Sequence, residues 1–175
     1  MRVLYGLFAG LGAGAVAEFL PDGTVPEEGY VSKWRDILLM ISANRTPGVD
    51  AAVVALGDAL KKLGHWRAAQ VCYLLAPTGN TISGIDTPEV RAVLLTSDHT
   101  TYPASFARSP KAIQATELYE YAQTLIGNAG AANALPYLQA YKIAYAWYLA
   151  DLGFVEQAGR YVEAVGEVVK TYSRG

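Results

Sequence analysis

Apolar residues recur along the chain in alternating steps of three and four, and this spacing predicts helices with one inward face each. One run passes through Val31, Trp34, Leu38 and Ile41, and the next through Val53, Leu56, Leu60 and Leu63. The spacing returns at Ala115, Leu118, Ala122 and Leu125, and it lasts longest through Val155, Ala158, Val162, Val165, Val169 and Tyr172. Between the stripes of that last helix lie Glu156, Arg160, Glu163, Glu167 and Lys170, a solvated face on which Glu156 and Arg160 stand four apart and can pair. The segment PYLQAYKIAYAWYLAD (136–151) has only Gln139, Lys142 and Asp151 as strongly polar positions. It is expected to be covered on most sides. Tyr137, Tyr141, Tyr145 and Tyr148 would run down one face, each buried phenol needing a partner for its hydroxyl.

Turn chemistry agrees with the periodicity. Lys61-Lys62-Leu63-Gly64 places cations in a last turn and glycine just beyond it. Ser109-Pro110 and Thr87-Pro88 each set a capping hydroxyl before a proline at a first helical position. Loops rich in breakers are expected at 21–29, 76–89, 96–110 and 127–136. No period-2 strand or hairpin signal appears, so the reading is an all-α domain of about seven or eight helices spanning 1–175.

An internal echo refines this reading. Leu60-x-x-Leu63-Gly64-x4-Ala69 recurs as Leu149-x-x-Leu152-Gly153-x4-Ala158, with a looser copy at Phe8-x-x-Leu11-Gly12-x4-Ala17. Helix, glycine turn and helix, with an alanine letting the second helix sit close to the first, is the grammar of stacked helical hairpins: an irregular α-solenoid. The copies are too unevenly spaced for a regular tetratricopeptide array.

Composition narrows the function classes. Of the 175 residues, 52% are apolar and 17% charged, which describes a folded chain with a substantial core. The net charge of −2, with both signs interspersed, is not the footprint of a nucleic-acid binder. A single cysteine, Cys72, rules out an internal disulfide. Two histidines and this cysteine, without ligand-like spacing, give no zinc site. The opening MRVLYGLFAGLGAGAVAEFL imitates two other things. It has the outline of a signal peptide, but four glycines crowd its apolar region. It also contains Gly12-x-Gly14-x-x-Ala17, which passes for a dinucleotide fingerprint but lacks the strand and βαβ unit that motif needs. Close helix packing is the expected role of these small residues. Ser97-Asp98-His99 holds three triad residue types in a row, yet neighbours in sequence cannot converge as a triad must, so a polar capping loop is expected.

The residues themselves resemble a known family. Trp34-Arg35-Asp36, ISANRTPG (41–48), ALGDALKKLGHWRAAQVCYLLA (55–76), VLLTSDH (93–99), IQATELYEYAQTL (113–125) and LPYLQAYKIAYAWYLADLGFVEQAGRYVEAV (135–165) resemble, in order, the central conserved region of the Sec-sixteen scaffold family. Gln70 stands where that family often has histidine, and Val162 where cysteine is common; both fall on expected apolar faces.

The resemblance implies a fold of the ancestral coatomer element type and a non-enzymatic scaffold without cofactors. It implies a peripheral protein of the cytoplasmic face of the endoplasmic reticulum, at exit sites where the COPII vesicle coat assembles. Implied partners are the coat subunits Sec-twenty-three and, through a β-blade upstream of the solenoid, Sec-thirteen. The opening run matches an internal position of the family, so the expectation is a fragment of a longer scaffold that binds Sec-thirteen poorly. Loss of the upstream helices is expected to bare an apolar face and favour homo-oligomers. Candidate partner-binding residues are Lys33, Arg35, His99, Tyr102 and Arg108, set against the plainer reading of each as a solvated or capping residue. The rival readings are another coat or nuclear-pore solenoid, a tetratricopeptide-like peptide binder, and a small-molecule enzyme using the glycine-rich start with the Ser97-Asp98-His99 loop.

Overall fold

The computed structural model of the chain describes residues 2–19, 27–76, 81–126 and 135–173. Parts of three expected loops, at 20–26, 77–80 and 127–134, lie outside the described residues, as do the side chains of Ala17 and Val31. Seven α-helices form among the described residues: α1 Arg2–Phe8, α2 Glu27–Ala43, α3 Val49–Lys62, α4 Trp66–Leu75, α5 Pro110–Ile126, α6 Leu138–Asp151 and α7 Val155–Ser173. Short 3-10 segments cover Gly12–Phe19 and Phe106–Arg108. With no β-sheet among the described residues, the fold is all-α and built from helical hairpins, as the periodicity predicts. Its contacts divide it into two compact units, Met1–Ile82 and Ser83–Gly175.

In the first unit α3 ends at Lys62, and Gly64 adopts φ +80°, a left-handed conformation that costs glycine nothing. The Gly64 N–H donates to the Lys61 carbonyl at 3.0 Å and the His65 N–H to the Leu60 carbonyl at 2.9 Å. This pair of bonds is the Schellman arrangement, and it satisfies carbonyls that the helix end would otherwise orphan. The chain then reverses into α4. Val53, Leu56 and Leu60 of α3 and Ala69, Cys72 and Tyr73 of α4 are buried with Ile37, Leu38 and Ile41 of α2. Gly57 makes the close approach possible, since a Cβ there would lie 2.6 Å from Tyr73 Cε1. The Tyr73 hydroxyl donates to Asp58 Oδ1 at 2.9 Å. Cys72 is wholly buried, and desolvation pushes its thiol up to about 12.

The opening run is a packing device. A Cβ on Gly6 would come within 2.9 Å of Ala15 Cα, and one on Gly48 within 3.2 Å of Gly12 Cα. The third copy of the echo is displaced, however. Its turn glycine is Gly10 (φ +73°), with Leu11 N–H bonded to the Gly6 carbonyl at 3.0 Å, two residues before the Gly12 that the sequence pattern suggests.

In the second unit the α6–α7 turn reproduces that of α3–α4. Gly153 sits at φ +89°, its N–H donates to Ala150 at 2.9 Å, and the Phe154 N–H donates to Leu149 at 2.9 Å. Ser109 and Pro110 start α5 as predicted, the Ser109 carbonyl accepting from Ala112 and Ile113. Thr87-Pro88 starts no helix. Thr87 instead closes a turn, accepting from Val90 through its carbonyl and meeting Ser83 Oγ through its hydroxyl at 2.9 Å. The segment from 83 to 105 is irregular, with Val93 and Leu94 buried against Phe106, Ile113, Leu138 and Tyr145. Burying irregular backbone requires side-chain partners, and Thr116 supplies one by accepting from the Leu95 N–H at 2.9 Å.

That demand changes which face of α5 is buried. Ala112, Ile113, Thr116 and Glu120 face inward, while Leu118 and Leu125 of the predicted stripe are each 68% exposed. The α6 segment is less covered than expected, with Trp147 75% exposed. Of the α7 stripe, Ala158 and Val165 are buried, whereas Val155, Val162, Val169 and Tyr172 are exposed. The Glu156–Arg160 pair forms at 2.7 Å on the solvated face.

Two glycines within helices test these packing statements in opposite directions. Gly57→Ala must displace the Tyr73 ring, and an expected loss of about 1–3 kcal/mol is measurable by urea denaturation. Gly159→Ala, with nothing within 4 Å of the added Cβ, is expected to stabilise α7 by roughly 0.5–1 kcal/mol.

Candidate interaction surfaces

The Trp-Arg dipeptide occurs twice in the first unit, and the fold brings both copies to one groove. Trp34 and Arg35 of α2 line it together with Gly64, His65, Trp66, Arg67, Ala68 and Val71 of the α3–α4 turn and α4, around a volume of about 450 Å³. Each guanidinium rests on its neighbouring indole. Arg35 Cζ lies 5.5 Å from the Trp34 ring centroid, and Arg67 Cζ lies 4.4 Å from that of Trp66. Cation–π contact of this exposed kind contributes about 0.5–1 kcal/mol and fixes where the charge is held. No described lining residue is acidic, and among the described residues neither guanidinium is ion-paired. Of the candidate residues, Arg35 belongs to this groove; Lys33 is exposed on α2 and does not line it.

The other three candidates share one loop of the second unit. Buried Asp98 organises it: Oδ2 accepts from the Thr100 hydroxyl at 2.7 Å, the Thr101 hydroxyl at 2.5 Å and the Thr101 N–H at 3.0 Å. Asp98 thus shapes its own turn, as an Asx motif does. His99 is half-buried, its ring edge-on to Phe106 at 6.2 Å, while Tyr102 and Arg108 are exposed. Arg108 lines a second pocket of about 380 Å³ with Ala107, Pro110, Ile113, Ala144, Tyr145 and Tyr148. This pocket is mostly apolar, with one cation at its rim.

Within the second unit α5, α6 and α7 share a polar network. Glu120 Oε1 accepts from the Leu135 N–H at 2.8 Å and from Gln139 Nε2 at 3.2 Å, and its Oε2 pairs with Lys142. Of the four tyrosines expected to need partners, Tyr145 accepts from Gln114 Nε2 at 2.7 Å, while the buried Tyr137 hydroxyl has no partner among the described residues; on α7, Tyr161 donates to Glu117 Oε2 at 2.9 Å. The Tyr145 and Tyr161 rings meet edge-on at 5.2 Å. Burial raises the Glu117 carboxyl above the ordinary glutamate value; the Tyr161 hydrogen bond and Lys142 oppose the rise, and Glu120 adds to it. The arrangement holds helices together and offers no open acid–base couple.

Among the described residues the chain is thus a set of helical hairpins carrying two grooves, with a polar network between α5, α6 and α7. The chain matches the family described as "Sec16 Sec23-binding domain" over residues 1–175, and it belongs to that family. It is 31% identical to the COPII coat assembly protein of Aspergillus terreus over 190 aligned residues, covering 99% of this chain and 10% of that protein. It is 40% identical to a protein transport protein of Arabidopsis thaliana, the SEC16A homolog, over 162 residues, covering 91% of this chain and 11% of that protein. The chain thus spans about a tenth of the length of the curated relatives it matches. No solved structure gives a significant match. Among the described residues, no helix is long and apolar enough to cross a membrane.

The Glu117 environment sets a pH dependence of stability. Its folded pKa lies above the unfolded one, so its contribution is fully present below the ordinary glutamate value and is lost as pH rises through the folded value. Glu117→Gln, which keeps an acceptor for Tyr161, is expected to flatten this part of the stability–pH curve. The variant should be at least as stable as the natural sequence at pH 7. An unchanged slope in denaturation measured across that window would count against the assignment.

Proposed function

We propose that the chain is one piece of a non-enzymatic scaffold that organises COPII coat assembly at endoplasmic-reticulum exit sites, for transport toward the Golgi. The family match across all 175 residues carries this reading. The piece works by presenting surface. Its partner is a coat subunit of the Sec-twenty-three type, and it needs no cofactor. The scaffold it belongs to is peripheral to the cytoplasmic face of the membrane. Contact with Sec-thirteen is assigned to a β-blade outside these residues. Lys33, Arg35, His99, Tyr102 and Arg108 remain the proposed contact positions. Self-association through the apolar side chains left exposed on α5, α6 and α7 is part of the same proposal, since Leu118, Trp147 and Val162 have more than half of their surface bare.

Two measurements test it. The purified chain, immobilised and offered each subunit separately, is expected to retain Sec-twenty-three and not Sec-thirteen; retention of neither overturns the assigned partner. Sedimentation over a range of concentrations is expected to show a reversible shift to a larger species, and a strict monomer throughout removes the self-association.

A further inference from the structure

We infer that the Trp34/Trp66 groove of the first unit is a docking site for an acidic linear segment of another protein. The groove is built by segments far apart in sequence, α2 on one side and the α3–α4 turn with the start of α4 on the other. Arg35 and Arg67 lie across their own indoles, so both charges are held in place before anything binds. A guanidinium held in this way, with no carboxylate partner among the described residues, keeps its hydrogen-bonding fork available for an incoming one.

The charge balance is local. The chain as a whole carries a net charge of −2, yet this groove gathers two arginines and His65 without a described acidic lining residue. Val71, exposed one turn beyond Arg67, and the indole edges give the groove an apolar floor. The chemistry that fits is an extended peptide bearing carboxylates on one edge and apolar side chains on the other. The site stands on this geometry alone, whether or not the segment belongs to a coat subunit.

The test titrates the 175-residue chain with a short synthetic peptide in which Glu alternates with Leu, following tryptophan emission at low and high salt. A peptide with Lys at every Glu position is the control. Expected are saturable binding of the acidic peptide, weakening with salt, and none of the basic one. The double variant Arg35→Glu/Arg67→Glu should bind on the order of tenfold more weakly or worse. Its helicity by circular dichroism should be unchanged, because both side chains are exposed, and Arg35→Gln/Arg67→Gln should lie between it and the natural sequence. Lys62→Glu, exposed outside the groove, should bind like the natural sequence. Equal loss in Lys62→Glu, equal binding of the two peptides, or binding of phosphatidylserine vesicles without binding of the peptide overturns the proposal.

Discussion

The fold rests on reversing a helix within three residues. Gly10, Gly64 and Gly153 do this in one way, each taking a positive φ so that its own N–H and that of the next residue fold back onto the carbonyls of the helix just ended. An L-residue there would carry the left-handed penalty of roughly 1–2 kcal/mol. The turn seals the helix end without capping side chains and delivers the following helix against the preceding one. Small residues then set how closely the two approach, as Gly57 does for Tyr73. The Trp-Arg groove follows from the same constraint, because the turn at Gly64 places His65, Trp66 and Arg67 beside α2.

The second unit adds a different constraint. Its chain runs irregularly from 83 to 105 and still enters the core at Val93 and Leu94. Buried backbone without helical partners has to be satisfied by side chains. Thr116 does so for Leu95, and Glu120 does so for Leu135. α5 therefore turns Thr116 and Glu120 inward and leaves Leu118 and Leu125 outside. Buried polar groups of this kind hold register more than they add stability, since each must recover what its desolvation costs.

This explains what could be read from the sequence. α3, α4, α6 and α7 were legible because periodicity and turn glycine agree, and the echoed motif marks two turns of the same geometry. The third copy was misplaced by two residues because Gly10, Gly12 and Gly14 all suit a turn, and only backbone conformation separates them. The face of α5 was misread because polarity ordinarily signals exposure; the partners that bury Thr116 and Glu120 lie 21 and 15 residues away and leave no periodic trace. Arg35 was singled out, but the residues that complete its groove were not. The repeated Trp-Arg dipeptide was the available signal, and its meaning depends on a juxtaposition that spacing does not encode.

The burial of Cys72 has a practical side. A thiol raised to about 12 and shielded from solvent holds almost no thiolate at neutral pH, so it cannot react while α3 and α4 stay together. It is also the only cysteine of the chain. The rate at which an alkylating reagent captures it therefore reports how often the first unit opens. A dye placed on a cysteine introduced at the surface would label that site alone in the native protein, with the natural thiol left in place.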